Sequence, residues 1–184
     1  MSTRDMTTLL LDGSGVEQAL SRLAREIVEG GAIEDLMLVG IHRRGVEFAA
    51  RLAGLISEAT GREVPTGSLD ITLYRDDFDQ IGPRPVIGVT EIPGNINGLR
   101  VVIVDDVLYT GRTVKAALTE LADFGRPRRV ELCVLADRGG RELPVQADHV
   151  GITVDVGEGE RVEVRVPELD DELSVTLVAS SESE

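Results

Sequence analysis

The stretch of sequence that decides the fold is VVIVDDVLYTGRT, residues 101–113. Its first part, Val101–Val104, is a short β-branched run without polar alternation, which is typical of a strand buried on both faces of a parallel sheet. A helical pattern from Thr113 to Phe124 follows, so the stretch predicts a strand, a polar loop and a helix within an α/β fold. Because ligands bind at the carboxyl ends of such strands, we expect the intervening polar residues to form a site.

Two acidic residues and a polar turn occupy this predicted site. Asp105 and Asp106 are adjacent acceptors, suited to paired ribose hydroxyls or to a Mg²⁺ ion that bridges a hydroxyl and a phosphate. Backbone N–H groups, two hydroxyls and a guanidinium follow at the predicted helix start, in Thr110, Gly111, Arg112 and Thr113. A helix start attracts phosphate, so the pattern predicts a sugar-phosphate site. An acidic pair alone would equally fit a helix cap or a response-regulator-like pocket, but the Thr-Gly-Arg-Thr turn favours phosphate.

The length, composition and charge of the chain limit its class. With 184 residues, 42% of them hydrophobic, it is predicted to form one soluble globular domain, 1–184. No apolar run is long enough to span a membrane and no signal-peptide pattern is present, so we expect a cytoplasmic protein. The net charge of −14 disfavours nucleic acid and anionic membranes as general partners, although a local basic patch would override it. Cys133 is the only cysteine, which excludes an intramolecular disulfide and predicts a buried thiol.

Hydrophobic periodicity predicts an alternating βαβ core. The expected elements before residue 100 are a helix from Val16 to Val28 with Asp12 or Ser14 as its N-cap and Gly30-Gly31 as its stop, a strand Leu36–Ile41, a helix ending near Ala59 and a strand Leu69–Tyr74. The inner face of the second helix is predicted to contain Val46, Ala49, Ala50, Ala53 and Ile56. The segment from Arg75 to about Gly98 is predicted to form a long hairpin that serves as a lid, with a strand at Pro85–Thr90.

The second half of the chain continues the pattern and then changes it. Gly125 is the predicted C-cap of the helix, and Val130–Leu135 the next strand. Beyond Asp137 we expect short strands at Val150–Val154, Arg161–Val166 and Leu173–Val178, and a frayed end at Ser180–Glu184. The prediction is a central, mostly parallel sheet flanked by helices, with a small C-terminal hood.

Two further loops carry candidate site residues. Arg43 and Arg44 lie between a predicted strand and helix, where guanidinium groups match the geometry of pyrophosphate. A pair of solvated arginines is the alternative there. Asp137 and Arg138 follow the strand at 130–136 and should face the same edge, where they would contact a nucleobase, with a capped strand end as the alternative.

Several long motifs, found in the same order along the chain, resemble those of one protein family. Residues 101–113 resemble the phosphoribosyl-pyrophosphate (PRPP) motif of type I phosphoribosyltransferases, in which the acidic pair holds the ribose hydroxyls and the following loop holds the 5′-phosphate. The wider match runs from about Gly15 to Val166 and is similar to the PyrR family. It rests on LDITLYRDD (69–77), VDDVLYTGRT (104–113), GRP (125–127), DRG (137–139) and RELP (141–144). Members of that family are uracil phosphoribosyltransferases, and many also bind pyrimidine-operon messenger RNA and promote attenuation.

The resemblance implies a reaction of pyrimidine salvage in which uracil and PRPP give UMP and pyrophosphate, with Mg²⁺ as cofactor. Asp105 and Asp106 would hold the ribose and the metal ion. Arg43, Arg44 and Arg75 would stabilise the charge that accumulates on pyrophosphate. The resemblance further implies a homo-oligomer, for which a dimer is expected.

The residue at position 109 favours a pyrimidine substrate. Purine-type relatives commonly carry an aspartate where this chain has Tyr109, and a phenol of pKa about 10 is a poor base at neutral pH. We therefore expect Tyr109, Asp137 and Arg138 to contact uracil. The group that takes the proton of uracil N1 stays open between pyrophosphate oxygens and water.

One stretch of this chain is less basic than the corresponding stretch in the RNA-binding members of the family. Those members typically carry His-Arg-Glu-Leu-Pro, followed by an arginine and a lysine, whereas this chain has Gly140, Gln146 and Ile152 at the three variable places and retains Arg141. The remaining basic candidates are Arg22, Arg25, Arg126, Arg128 and Arg129. Because RNA loops require such donors, the enzyme is the first prediction and a UMP- or UTP-responsive RNA-binding regulator the alternative. A regulator that binds PRPP without turnover is a third hypothesis, which the intact loops disfavour.

Overall fold

The computed structural model describes residues 6–72 and 89–179. In chain order its elements are β1 (Thr7–Leu11), α1 (Gly13–Glu29), β2 (Leu36–Ile41), α2 (Arg44–Thr60), β3 (Thr66–Leu69), β4 (Arg100–Leu108), α3 (Arg112–Ala122), β5 (Arg129–Asp137), β6 (His149–Thr153), β7 (Glu160–Arg165), α4 (Pro167–Asp170) and β8 (Ser174–Ala179). None of the helices in these ranges is long and apolar enough to cross a membrane.

Five strands form a central sheet in the order β3-β2-β4-β5-β6, and every neighbouring pair is parallel. The chain moves outward from β2 to β3 on one side, and from β4 through β5 to β6 on the other. The carboxyl ends of β2 and β4 therefore flank a topological switch point, where open α/β sheets place their ligands. The predicted α/β class with a parallel sheet is confirmed.

The strand at the centre is buried on both faces, as its composition predicts. Val102 and Val104 belong to the core that α1 and α2 cover, while Val101 and Ile103 belong to the core that α3 covers. Cys133 on β5 is also buried, and burial raises the pKa of its thiol to about 12. The prediction of a buried thiol is confirmed.

The caps of the first helix are also confirmed. Asp12 is the N-cap of α1 and accepts a hydrogen bond from the Gly15 N–H at 2.8 Å, and Gly30 is its C-cap. The inner face of α2 is correct at Ala49, Ala53 and Ile56, but Ala50 is exposed and Val46 half-buried. The buried positions between them are Phe48 and Leu52, because these larger side chains fill the core at the i, i+4 spacing that continues to Ile56.

A second, antiparallel sheet of order β1-β8-β7 forms the hood. The predicted strands at 161–166 and 173–178 correspond to β7 and β8, whereas the strand at 150–154 corresponds to β6 and joins the edge of the central sheet. Strand β1 was not predicted. It completes the hood by pairing with β8, with Thr7 opposite Val178.

Two predicted boundaries were wrong. The predicted strand Leu69–Tyr74 shares only Leu69 with β3, which runs from Thr66 to Leu69; after it, the Oδ1 atom of Asp70 accepts hydrogen bonds from the N–H and the hydroxyl of Thr72 and closes a turn. Helix α3 begins at Arg112 and ends at Ala122, with Asp123 instead of Gly125 as its C-cap. The Asp123 N–H bonds to the Glu120 carbonyl, so the last turn tightens before it reaches the glycine.

Several predictions lie outside the described residues. They concern Arg75, the part of the hairpin and lid that falls within residues 73–88, and the end of the chain at Ser180–Glu184. Shortly after residues 73–88, Glu91 pairs with Ser68 in an isolated antiparallel bridge.

Candidate active site

A cavity of about 510 Å³ opens at the switch point between β2 and β4. The loop after β2, the turn after β3 and the end of β4 all contribute to its wall. Its lining residues are Ile41, His42, Arg43, Arg44, Asp70, Ile71, Thr72, Asp105, Asp106, Val107 and Thr113. The structure thus brings together Arg43, Arg44, Asp105, Asp106 and Thr113, which the sequence predicted separately.

Two glycines allow the backbone of β2, α2 and β4 to come very close together beside the cavity. A Cβ atom at Gly40 would lie 2.4 Å from the Cα of Val46, and one at Gly45 would lie 2.4 Å from the carbonyl oxygen of Val104. Only glycine fits at such distances. The two glycines therefore let the start of α2 pack directly on β2 and β4. This packing places the loop that carries Arg43 and Arg44, here called the arginine loop, beside the acidic pair Asp105 and Asp106.

The acidic pair lies within β4 itself and not after it. Asp105 is buried and pairs in register with Val134, while Asp106 is half-buried. The Asp106 N–H donates to Asp105 Oδ1 at 2.9 Å, and the Val107 N–H donates to Asp106 Oδ1 at 2.8 Å. These bonds fix both carboxylates against the backbone at the cavity wall.

The start of α3 is open to an anion. Gly111 is the N-cap with φ of 91°, and as a glycine it has no side chain of its own with which to cap the helix. The first turn of α3 also lacks acidic residues, whereas the start of α1 is capped by the carboxylate of Asp12. The unpaired N–H groups of a helix start are suited to a phosphate group.

The side chains of Thr110 and Arg112 in the turn make different hydrogen bonds. The hydroxyl of Thr110 accepts a bond from the Arg112 N–H at 3.3 Å, and the guanidinium of Arg112 donates to Glu142 at 2.7 Å. The Thr110 carbonyl accepts bonds from the N–H groups of Glu142 and Leu143. The predicted phosphate turn is therefore braced by the loop at residues 141–145.

The arginine loop is held from two directions. Its His42–Arg43 peptide bond is cis, and His42 Nε2 lies 3.0 Å from the carbonyl oxygen of Val89. Arg43 is exposed, while Arg44 donates two hydrogen bonds to Asp170 of α4, at 2.7 and 3.2 Å. The bond with Arg44 lowers the pKa of the Asp170 carboxyl below its usual value.

The predicted base-contacting residues lie together beside the turn, outside the lining of this cavity. Arg138 stacks on the ring of Tyr109, 3.7 Å from its centre. Arg141 joins the group by donating to the Tyr109 carbonyl at 2.8 Å, to Asp137 Oδ2 at 2.7 Å and to the Val145 carbonyl at 2.8 Å. Burial alone would raise the pKa of Asp137, but the bonds from Arg141 and from the Gly139 N–H lower it.

Asp70 and Thr72 also line the cavity, although the sequence did not predict them as site residues. Asp70 is 8% exposed, and Thr72 bonds to its carboxylate. The predicted strand at 69–74 contains both residues, although an aspartate two residues before a threonine is also a turn signal. That signal would have ended the strand and brought both residues to the site.

The carboxylates fit a Mg²⁺ ion that arrives with a phosphate ligand. Within residues 6–72 and 89–179, no group of three or more His, Cys, Asp or Glu side chains could hold a metal ion by itself. Magnesium in phosphate sites usually takes one or two carboxylates, with phosphate oxygens and waters as its other ligands. Asp105 and Asp106 supply that smaller set.

A family of known proteins and several individual relatives match this chain over most of its length. The Phosphoribosyl transferase domain family matches residues 6–169. A protein called Bifunctional protein PyrR from Pelotomaculum thermopropionicum is 50% identical over 174 residues, which cover 94% of this chain and 96% of the relative. A protein of the same name from Thermus thermophilus is 53% identical over 169 residues, covering 91% and 93%.

Solved structures with similar folds are hypoxanthine phosphoribosyltransferases. The enzyme from Staphylococcus aureus has a TM-score of 0.70 at 19% identity and covers 99% of both chains. The enzyme from Trypanosoma cruzi, in complex with IMP, has a TM-score of 0.69 at 18% identity and covers 99% of this chain and 94% of its own. At these identities the likeness shows the fold, which is the predicted type I phosphoribosyltransferase fold.

Proposed function

Because this chain belongs to the PyrR family of phosphoribosyltransferases, we propose that it transfers the phosphoribosyl group of PRPP to N1 of uracil, giving UMP and pyrophosphate. One observation carries the proposal: the acidic pair of β4, the arginine loop after β2 and the start of α3 line a single cavity. One PRPP molecule bound in this cavity would contact Arg43 and Arg44 with its pyrophosphate, Asp105 and Asp106 with its ribose and Thr113 with its 5′-phosphate.

The acidic pair and the turn would hold the ribose phosphate. Asp105 and Asp106 accept hydrogen bonds from the ribose hydroxyls, since carboxylates fixed to the backbone lose little freedom on binding. The N–H groups and hydroxyls of Thr110, Gly111, Arg112 and Thr113 bind the 5′-phosphate at the start of α3. The phosphate turn and the acidic pair together place C1 of the ribose between the leaving group and the base.

The arginines would stabilise the leaving group. As the bond from C1 to the pyrophosphate oxygen breaks, its electron pair goes to pyrophosphate, and the ribose gains oxocarbenium character. Arg43, Arg44 and Arg75 bind the charge that accumulates there. Phosphoribosyltransferases generally use Mg²⁺ with PRPP, and the ion neutralises phosphate charge when it is bound. In this chain Asp105 and Asp106 would hold it.

The base would bind beside Tyr109. Arg138 stacks on that ring, and Arg141 links the Tyr109 backbone to the Asp137 carboxylate. Uracil N1 forms the new bond to C1 and loses its proton. The Tyr109 phenol is a poor base at neutral pH, so the proton passes to a pyrophosphate oxygen or to water.

The test is UMP formation from uracil and PRPP with Mg²⁺, measured for the wild type and for the double variant Asp105→Asn/Asp106→Asn. The double variant should lose about 10²-fold or more in kcat/KM, because both ribose and metal contacts lose their charge. The control is Asp155→Asn, since Asp155 is an exposed carboxylate outside the cavity. A double variant as active as the control would contradict the assigned roles.

A second candidate function is RNA-binding regulation of pyrimidine-operon transcription. The observation that favours it is the identity of 50% or more to relatives whose name contains the word bifunctional. The arrangement of basic residues favours the enzyme instead. Arg22, Arg128 and Arg129 form ion pairs with Glu26, Asp35 and Glu131. A homodimer stays a prediction for either function.

A further inference from the structure

An ion pair between Arg44 and Asp170 connects the arginine loop to α4, the short helix between the hood strands β7 and β8. Arg44 donates from Nη2 to Asp170 Oδ1 at 2.7 Å and from Nε to Asp170 Oδ2 at 3.2 Å. The Arg44 side chain is 31% exposed and that of Asp170 is 18% exposed. We propose that Asp170 is a positioning residue for the reaction: it holds the Arg44 guanidinium in the place where pyrophosphate binds. The inference rests on the proposed function.

The Asp170 carboxylate is itself fixed by the hood. Its Oδ2 atom accepts a hydrogen bond from the Val166 N–H at 2.9 Å, which ties the carboxylate to the start of α4. A neighbouring ion pair between Arg51 and Glu168, at 2.8 Å, is separate from this contact, because neither residue hydrogen-bonds to Arg44 or Asp170 in the described structure. The position of Asp170 is therefore set before any ligand binds, and Arg44 takes its orientation from it.

The ion pair leaves part of the guanidinium available. The two bonds to Asp170 use Nε and Nη2, and in the described part of the chain Nη1 makes no hydrogen bond. Arg44 lines the same cavity as Asp105 and Thr113. A planar guanidinium binds phosphate oxygens well only at a fixed angle, and an arginine held in place loses less rotamer freedom when the ligand arrives.

The negative charge of Asp170 acts in the opposite direction, since it reduces the attraction of the loop for an anion. The side chains are partly exposed, and screening by water makes this charge effect small. Orientation of the guanidinium should therefore dominate. Asp170 strengthens the binding of pyrophosphate and PRPP and leaves the binding of uracil unchanged, because the residues around Tyr109 lie on another loop.

The variant Asp170→Asn tests this, with Glu168→Gln as its matched control on the same helix. Two measurements are made: titration calorimetry with magnesium pyrophosphate, and steady-state kinetics with each substrate varied. In Asp170→Asn, the Kd of pyrophosphate and the KM of PRPP should rise about threefold to tenfold, and the KM of uracil should stay constant. Glu168→Gln should stay within about twofold of wild type, because Arg51 does not line the cavity. Asp170→Glu, which keeps the charge, should recover part of the loss.

A double-mutant cycle with Arg44→Lys separates positioning from a general weakening of the hood. If Asp170 acts through Arg44, then Asp170→Asn has little further effect on pyrophosphate affinity in the Arg44→Lys background. Additive effects would overturn the proposal, and so would an unchanged or tighter pyrophosphate Kd in Asp170→Asn. A wild type that makes no UMP would contradict the proposed function alone, because the pyrophosphate titration still decides the role of Asp170.

Discussion

The guanidinium of Arg138 lies over the ring of Tyr109, 3.7 Å from its centre. The ring is 46% exposed, and its edge abuts Gly140, where a Cβ atom would lie 2.5 Å from Tyr109 Cε2. Arg138 thus covers one face of an aromatic ring that a side chain at position 140 would displace. Such a stacked pair is a flat surface of the kind on which a planar base binds.

Loss of the ring should weaken uracil binding specifically. We expect Tyr109→Ala to raise the KM of uracil about fivefold to thirtyfold, since stacking on an aromatic side chain contributes about 1–2 kcal/mol. Tyr109→Phe should stay near wild type, because in the proposed function the ring supplies the stacking surface and the hydroxyl is not the base. The measurement is the KM of each substrate. An equal rise in the KM of PRPP would indicate a distorted phosphate turn instead.

Gly45 should be intolerant of a methyl group, whereas Gly54 on the same helix should benefit from one. A Cβ atom at Gly45 would lie 2.4 Å from the Val104 carbonyl oxygen. A Cβ atom at Gly54 would have no neighbouring atom within 4 Å. Gly45→Ala should lower the free energy of unfolding by about 1–3 kcal/mol through overpacking. Gly54→Ala should raise it by about 0.5–1 kcal/mol through helix propensity. Urea unfolding of both variants checks the pair, and equal effects would contradict the close packing of α2 on β4.

The parts of the fold that depend on local sequence were predictable. Val101–Val104 and Leu36–Ile41 are apolar runs whose burial follows from composition, and the caps of α1 follow from Asp12 and Gly30. The acidic pair was assigned to the site for the same reason, since it ends the apolar run. Its place inside β4 was not foreseen, because polar residues within a strand are tolerated only where that strand end borders a cavity.

The parts that depend on distant partners were not predictable. Strand β1 forms by pairing with β8 at the other end of the chain, and nothing in the sequence of Thr7–Leu11 indicates that partner. Arg44 was assigned to pyrophosphate from its loop alone, while its contact with Asp170 is separated by 126 residues. The role of Arg141 as a brace between Tyr109 and Asp137 likewise appears only in three dimensions.

Glu120 makes the stability of the protein depend on pH. Its side chain on α3 is buried; Thr90 donates to one oxygen, and the other has no hydrogen-bond partner in the described structure. Burial raises the pKa of this carboxyl above 4.5; the bond from Thr90 opposes the shift and the charge of Asp70 adds to it. The folded state therefore binds the proton more tightly than the unfolded state, and wild-type stability is lost as pH rises through the raised pKa.

The variant Glu120→Gln removes this dependence. It should be more stable than wild type at pH 8, and the difference should shrink as the pH falls towards 4.5, where both states of the wild type become protonated. Urea unfolding across that range measures the difference. Glu17→Gln, an exposed change on α1, is the control and should give a constant difference. A Glu120→Gln variant that is less stable at every pH would mean that the bond with Thr90 outweighs the burial.

RNA binding should be weak at physiological salt. Of the basic candidates, Arg22, Arg128 and Arg129 are engaged in ion pairs, and all three bonds of Arg141 are made within the chain. A chain with a net charge of −14 gains little from counterion release on an RNA surface. Titration with pyrimidine-operon leader RNA at about 0.15 M salt should therefore give a Kd weaker than about 10⁻⁶ M, with or without UMP.

Tight, UMP-dependent binding would instead place the RNA surface on arginines that form no ion pair. Arg25 and Arg126 are the two candidates that remain exposed without such a partner in the described structure. The double variant Arg25→Gln/Arg126→Gln would then lose affinity and show a smaller dependence on salt, because each phosphate contact contributes about one unit to the salt slope. Uracil phosphoribosyltransferase activity should not change in that variant, since neither residue lines the cavity. The two functions are therefore separable by mutation, whichever of them this chain carries.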